Sequence, residues 1–167
     1  RVTVRDGGNN TATDASAANF TVVGWTVTAS AGAGGSIAPS GTTVVADGAT
    51  PSYTITPATG YHVADVLVNG SSVGAVTNYA FAAIHSDQTI AASFAINTYT
   101  LTVNVVGSGT VAKSPDQATY THGTAVQLTG TPTSPFVFAG WSGDTTGTTN
   151  PVTIAMTGNK TITATFS

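Results

Sequence analysis

The chain repeats itself at a nearly constant spacing, and this duplication constrains the fold more than any other feature. Four motifs recur: WTVT at 25–28 as YTLT at 99–102, GSIA at 35–38 as GTVA at 109–112, YHVA at 61–64 as FVFA at 136–139, and QTIAASF at 88–94 as KTITATF at 160–166. The offsets are 74, 74, 75 and 72 residues. Because four separate motifs keep one spacing, we expect an N-terminal β-segment over 1–23 and two repeats over 24–96 and 97–167.

Within each repeat the hydrophobic pattern has a period of two residues. In the last motif, Thr161, Thr163 and Thr165 alternate with Ile162, Ala164 and Phe166. Such alternation is typical of a strand with one buried and one solvated face. The chain has no Glu and 33 Thr, and only 7% of its residues are charged, which disfavours helices. The predicted fold class is all-β, with two tandem small antiparallel β-repeat domains and an N-terminal β-strand segment.

Charge and cysteine content exclude several classes of function. The net charge is −3 with four bases, so the chain lacks the basic surface that nucleic acid requires. No run of 18 apolar residues occurs, and we predict no membrane insertion. The absence of Cys removes disulfides, cysteine-type zinc sites and thiol catalysis. Since the sequence starts at Arg1 without a leader, we expect a processed product or an excised fragment.

The segment over 1–23 has no counterpart in either repeat. Val2 and Val4 mark one short strand, a polar stretch follows over 6–18, and Phe20 and Val22 mark a second strand over 19–23. Two such strands are marginal by themselves in water. We therefore expect them to pack on the first repeat, to pair with another chain, or to be the remnant of an upstream domain. Pairing by donor-strand addition would make Val2, Val4, Phe20 and Val22 an assembly strand, and such a head-to-tail contact builds filaments.

The second repeat carries the most distinctive motif. WSGD at 141–144, NPVTI at 150–154 and NKTITATF at 159–166 together resemble the divergent B-repeat family of bacterial surface proteins, related in name to the B repeats of internalins. The first repeat looks like a sister variant, with GYHVADVLVNG at 60–70 in place of the WSGD element. The segment before the repeats resembles the last two strands of a bacterial immunoglobulin-like domain, with DGGNNTA at 6–12 as its turn.

The family resemblance implies a small β-rich repeat of secreted or surface-anchored bacterial proteins, generally without catalytic activity. Such repeats occur in adhesins and beside the catalytic domains of secreted hydrolases. Because the first repeat lacks WSGD, no role of that loop is carried over to it.

Catalytic chemistry finds little support in the titratable residues. His62 falls on the solvated face of a strand, and His85 and His122 fall in turns. The contiguous His85, Ser86 and Asp87 do not suggest a triad, because a triad converges from separate segments. Three of the seven Asp residues lie beside Gly, and all seven are interpreted as turn formers. We predict that the chain is not an enzyme.

Calcium is the one cofactor that the sequence leaves open. Asp6, Asn9, Asn10 and Asp14 form one oxygen-rich cluster, and Asp144 starts another. Neither has the spacing of an EF-hand loop. We interpret both as polar turns, with calcium near Asp6, Asn9 and Asp14 as the alternative, and expect no other cofactor.

Aromatic residues with polar tips are the candidates for ligand contact. Tyr79, Tyr120 and Trp141 could offer flat surfaces to a sugar, although packing in a small core is the competing interpretation. The Thr-rich strands also lack the charges that usually protect sheet edges.

The sequence is compatible with two candidate functions. The first is a non-catalytic structural module of a bacterial extracellular or cell-surface protein. It would act as a spacer or adhesin stalk, or as a filament subunit assembled by strand pairing through 1–23. The alternative is a carbohydrate-binding accessory module of a secreted hydrolase. The expected partners are other copies of the chain or neighbouring domains of the same protein, with polysaccharide as a further candidate.

Overall fold

The structure of the chain, a computed structural model, describes residues 2–5, 11–14 and 24–167. All eighteen elements of the described residues are strands. The N-terminal segment contains β1 (Val2–Arg5) and β2 (Thr11–Asp14). The first repeat contains β3 (Gly24–Ala31), β4 (Gly35–Ala38), β5 (Gly41–Ala46), β6 (Ser52–Pro57), β7 (Tyr61–Val68), β8 (Ser71–Ser72), β9 (Asn78–Ala80) and β10 (Gln88–Ile96). The second contains β11 (Thr98–Tyr99), β12 (Leu101–Val106), β13 (Gly109–Ser114), β14 (Tyr120–Thr121), β15 (Ala125–Pro132), β16 (Phe138–Gly143), β17 (Val152–Ala155) and β18 (Lys160–Phe166). The all-β prediction is confirmed.

The two repeats share one topology, apart from the short β8, which occurs in repeat 1 alone among the described strands. In the first, the strand orders are β5-β3-β10-β7-β8 in one sheet and β4-β6-β9 in the other. In the second, the corresponding orders are β12-β18-β16 and β13-β15-β17, and the short pair β11-β14 stands in place of the β3-β5 pairing. The duplicated motifs therefore correspond to duplicated strands.

The first long strand of each repeat, β3 or β12, is the parallel neighbour of its last strand, which corrects the prediction of a wholly antiparallel fold. β3 pairs in parallel with β10 from Val27↔Gln88 to Ala31↔Ala92. β12 pairs in parallel with β18 from Leu101↔Lys160 to Val106↔Thr165. A parallel pair needs a long connection, and here the intervening strands of the repeat supply it.

Each repeat has its own hydrophobic core, built from the inward-facing residues of its two sheets. The core of the first repeat consists of Val27, Ala29, Ile37, Tyr53, Ile55, Val63, Val66, Phe81, Ile84, Ile90 and Ala92. The core of the second consists of Leu101, Tyr120, Val126, Leu128, Trp141, Ile154, Met156, Ile162, Ala164 and Phe166. Among the described strands, no ladder joins one repeat to the other.

A recurring contact between an aromatic ring and a glycine explains the GSIA and GTVA motifs. The ring of Phe94 lies against Gly35, where any Cβ would overlap it. The ring of Phe166 covers Gly109 in the same way, 2.7 Å from the position that a Cβ would take. Both glycines are required because the closing aromatic residue of each repeat packs directly on the backbone.

The N-terminal strands pair with each other rather than with a repeat. β1 and β2 are antiparallel, from Val2↔Asp14 to Arg5↔Thr11. This pairing lies within the segment itself, so the three expectations for what holds the segment stay predictions. The second strand was predicted at 19–23, whereas β2 lies within the polar stretch over 6–18. Residues 19–23 lie outside the described part of the chain.

Candidate interaction surfaces

The two repeats meet at Asn97. Its backbone N–H donates to the carbonyl of Gly60 over 2.8 Å, and its own carbonyl accepts from the N–H of His122 at 2.9 Å. Its side-chain Oδ1 lies 2.7 Å from Nδ1 of His62. Asn97 thus bonds to the end of repeat 1 and to a turn of repeat 2. We call the contact formed by Gly60, His62, Asn97 and His122 the junction.

The ring of His122 fills the space above Gly60. A Cβ at Gly60 would overlap that ring, and the φ of Gly60 is 82°, a value that L side chains rarely adopt. The hydroxyl of Tyr99 lies 3.3 Å from Nδ1 of His122 and helps to orient the ring. His122 does lie in a turn and His62 is exposed, as the sequence indicated, but their shared contact was not predicted. The sequence did contain one signal for this contact, because Asn97 falls at the boundary between the two aligned repeats.

The last strand of each repeat is preceded by an Asp or Asn side chain that binds the start of the first strand. Oδ1 of Asp87 accepts the N–H of Thr26 at 2.7 Å in repeat 1. Oδ1 of Asn159 accepts the N–H of Thr100 at 2.9 Å in repeat 2. These bonds fix the register in which the parallel strands begin.

A second pair of hydrogen bonds occurs in the loop in which the sequences of the two repeats differ. Oδ2 of Asp144, from the WSGD element, accepts the N–H of Thr161 at 2.6 Å. In repeat 1, Oδ1 of Asn69 accepts the N–H of Thr89 at 2.9 Å. Asn69 therefore takes the structural place of Asp144, although the first repeat lacks the WSGD sequence.

Asp47 connects an aromatic residue to a histidine at the exposed end of repeat 1. Its Oδ1 accepts from Nε1 of Trp25 at 2.7 Å and lies 2.9 Å from Nδ1 of His85. The bonds to Trp25 and then to His85 hold the pKa of Asp47 below its ordinary value. Asp87, the third member of the contiguous motif, binds Thr26 instead of His85. The described residues also contain no group of three side chains suited to a metal.

We predict that Asp87→Asn flattens the acid side of the stability profile. The N–H of Thr26 lowers the pKa of Asp87, so its stabilising bond is complete above the unfolded-state pKa of about 3.9. The contribution disappears as the pH falls through the lower pKa of the folded state. An Asn retains the acceptor oxygen, as Asn159 does in repeat 2, without titrating. Urea unfolding between pH 2 and pH 6 measures the change, and an unaltered acid slope in the variant would contradict this assignment.

Two of the three candidate ligand-contact aromatics are core residues, which corrects their interpretation. Tyr120 is 0% exposed and Trp141 is 4% exposed, so neither offers a ring face to a sugar. The Tyr120 hydroxyl donates to the carbonyl of Pro115 at 3.0 Å. Nε1 of Trp141 donates to the carbonyl of Thr149 at 2.9 Å. Their polar tips are satisfied inside repeat 2.

Tyr79 is half-buried beside a shallow groove. Its ring stands edge-on to Phe81, with centroids 5.0 Å apart. The groove is lined by Val68, Asn69, Tyr79, Phe81, Ala82, Ala83, Ile84 and Gln88. The amide nitrogen of Asn69 donates to the Gln88 side chain, and the Gln88 amide nitrogen donates to the carbonyl of Ser86 at 3.1 Å. Both amides are thus already bonded within the protein.

The other candidate residues lie in the N-terminal segment. Val2 and Val4 belong to β1, whereas Phe20 and Val22 lie outside the described residues. Of the calcium candidates, Asp14 ends β2, and Asp6 and Asn9 also lie outside the described residues. Assembly through this segment and calcium binding stay predictions. Within residues 2–5, 11–14 and 24–167 there is no helix that could serve as a membrane span.

Comparison with known proteins identifies the repeats. The family described as Divergent InlB B-repeat domain matches residues 25–98 and, a second time, residues 99–167. Neither the curated proteins nor the solved structures contain a match to the chain. The family matches take in both sets of duplicated strands and confirm the resemblance drawn from the sequence motifs. The chain therefore belongs to the divergent InlB B-repeat domain family and carries two tandem copies of the domain.

Proposed function

We propose that the chain is a non-catalytic structural module of a bacterial extracellular or cell-surface protein, in which it acts as a tension-resisting spacer of an adhesin stalk. Membership of a B-repeat family supports this proposal, because that family is typical of bacterial surface proteins. The independent core of each repeat and the hydrogen-bonded junction between them also support it.

The observation that carries the proposal is the parallel pairing of the first long strand of each repeat with its last strand. When tension pulls a repeat from its two ends, β12 is drawn one way and β18 the other along their common ladder. All paired residues from Leu101↔Lys160 to Val106↔Thr165 then resist together in shear. β3 and β10 give repeat 1 the same arrangement. An antiparallel terminal hairpin would instead open one bond at a time.

Single-molecule stretching of the full chain tests the proposal. We expect two separate unfolding events, one for each repeat, each releasing about 25 nm for roughly 70 residues at ~3.5 Å per residue. A single event that releases both repeats, or extension without a force peak, would contradict it.

The carbohydrate-binding alternative has weaker support. It would depend on Tyr79 alone among the three aromatics first considered, because Tyr120 and Trp141 are buried. The amides beside Tyr79 are engaged with each other and with the Ser86 carbonyl. A sugar in this groove would have to displace those bonds to obtain polar contacts.

A further inference from the structure

The far end of repeat 2 exposes a group of apolar side chains around the end of β18. The exposed fractions are 45% for Val105, 54% for Val106, 39% for Phe136 and 62% for Val137. Val106 pairs with Thr165 on one side of β18. On the other side, Val137 exchanges two backbone hydrogen bonds with Ser167, of 2.9 and 3.0 Å. Val105 and Val106 are successive residues of β12 and therefore lie on opposite faces of the sheet. We call this end of repeat 2, marked by these four residues and Pro135, the receiving end.

The same end of repeat 1 is where repeat 2 docks. At the offset of 75 residues, the counterparts of Pro135, Phe136 and Val137 are Gly60, Tyr61 and His62. His62 pairs with Ala95 as Val137 pairs with Ser167. Gly60 and His62 both belong to the junction. The receiving end is thus the second copy of a surface whose first copy already binds a B-repeat.

The residues in which repeat 2 differs from repeat 1 make the receiving end more apolar than the corresponding surface of repeat 1. Where His62 makes a hydrogen bond to Asn97, Val137 offers only apolar surface. Tyr61 packs its ring on Gly34, but Ser108 stands at the position of Gly34 in repeat 2. Phe136 has no glycine at that aligned position, and its side chain is 39% exposed. Exposed apolar groups clustered at one end are characteristic of an interaction site.

Repeat 1 also contains a turn equivalent to the His122 turn, through which repeat 2 contacts repeat 1. Gly123, in the His122 turn, donates to the carbonyl of Met156 at 2.9 Å. Gly48, in the Asp47 turn of repeat 1, donates to the carbonyl of Ile84 at 2.7 Å. The bond from Trp25 to Asp47 likewise corresponds to the contact between Tyr99 and His122. The Asp47 turn is thus the structural counterpart of the docking turn.

The larger and the smaller residue change sides between the junction and the receiving end. In the junction the large His122 ring lies over Gly60, which has no side chain. At the receiving end the glycine is replaced by Pro135, and the docking turn of repeat 1 carries the smaller Asp47. We propose that the receiving end binds the Asp47 turn of a second copy of this chain, head to tail.

Such a contact is heterologous and does not close, so it extends the spacer into a filament. The inference deepens the proposed function and rests on it. It differs from assembly through residues 1–23, because the surface lies on repeat 2 and the contact buries side chains rather than adding a strand.

Light scattering of the full chain over a concentration series tests the inference. We expect the mass to rise with concentration and the Val137→Asp variant to remain a monomer. Val44→Asp is the matched control, since Val44 is 75% exposed on β5 of repeat 1, and it should associate like the parent chain. Unchanged tryptophan fluorescence verifies that both variants fold. A monomeric parent at every concentration, or association unaffected by Val137→Asp, would overturn the inference.

Covalent capture locates the contact independently. The chain has no Cys, so a chain with Asp47→Cys and Val137→Cys can be oxidised without competing thiols. We expect a ladder of disulfide-linked oligomers, and far fewer oligomers from the control pair Val44→Cys and Val137→Cys. Equal yields from the two pairs would overturn the inference. Failure of either assay leaves the stretching result intact, so the two proposals fail separately.

Discussion

Replacing Phe166 with alanine is expected to unfold repeat 2 while repeat 1 stays folded. Phe166 is 2% exposed and packs on Gly109 and, with ring centroids 5.7 Å apart, on Phe138. Truncation of a buried Phe costs about 3–5 kcal/mol. That is a large fraction of the stability of a small domain. Because the two cores share no residue, the loss should be confined to repeat 2.

Urea unfolding followed by tryptophan fluorescence measures this effect, because each repeat contains one tryptophan. Trp141 reports on repeat 2 in a Trp25→Phe background, and Trp25 reports on repeat 1 in a Trp141→Phe background. Phe136→Ala is the control, since it removes the same ring from a position that is 39% exposed, and its effect should be small. Equal shifts of both tryptophan signals in Phe166→Ala would show that the repeats unfold as one unit.

Replacing Gly60 with alanine is expected to open the junction. Its Cβ would overlap the His122 ring, and the φ of 82° adds backbone strain of about 1–3 kcal/mol. Gly70→Ala is the matched control, because Gly70 has a φ of 80° and nothing within 4 Å of its Cβ position. The two variants share the strain and differ only in the clash.

Amide hydrogen exchange measures the opening of the junction directly. The N–H groups of Asn97 and His122 both donate to junction carbonyls, and each should exchange about tenfold faster or more in Gly60→Ala, corresponding to at least ~1.4 kcal/mol. In Gly70→Ala the two amides should keep their parent rates. If the two variants accelerate these amides equally, the His122 contact does not hold the repeats together.

Local patterns predicted which residues form strands, but not how the strands pair. The alternation of Thr161 to Phe166 correctly marked β18, and the spacing of the motifs marked the duplication. Strand direction relative to a neighbour leaves no trace in that alternation, because the period of two is the same in parallel and antiparallel ladders. The parallel β12–β18 pair became visible only in three dimensions.

Interaction residues were harder to predict for a related reason. Tyr120 lies outside any alternating stretch, so its burial depends on the loop from Pro115 that folds over its hydroxyl. His122 and Gly60 are far apart in sequence and meet only because one repeat ends where the next begins. By contrast, the contacts of Asp87 and Asn159 follow from the repeat itself, since both precede the last strand at matching positions.

Pulling repeat 2 from two directions shows whether it resists tension by shear between β12 and β18. One set of handles is attached at the chain ends. The other is attached at Thr102→Cys and Thr161→Cys, exposed partners at the same end of the β12–β18 ladder, from which the strands peel apart one pair at a time. We expect repeat 2 to unfold at a clearly higher force when it is pulled from the chain ends. Equal forces, or a lower force from the chain ends, would contradict it.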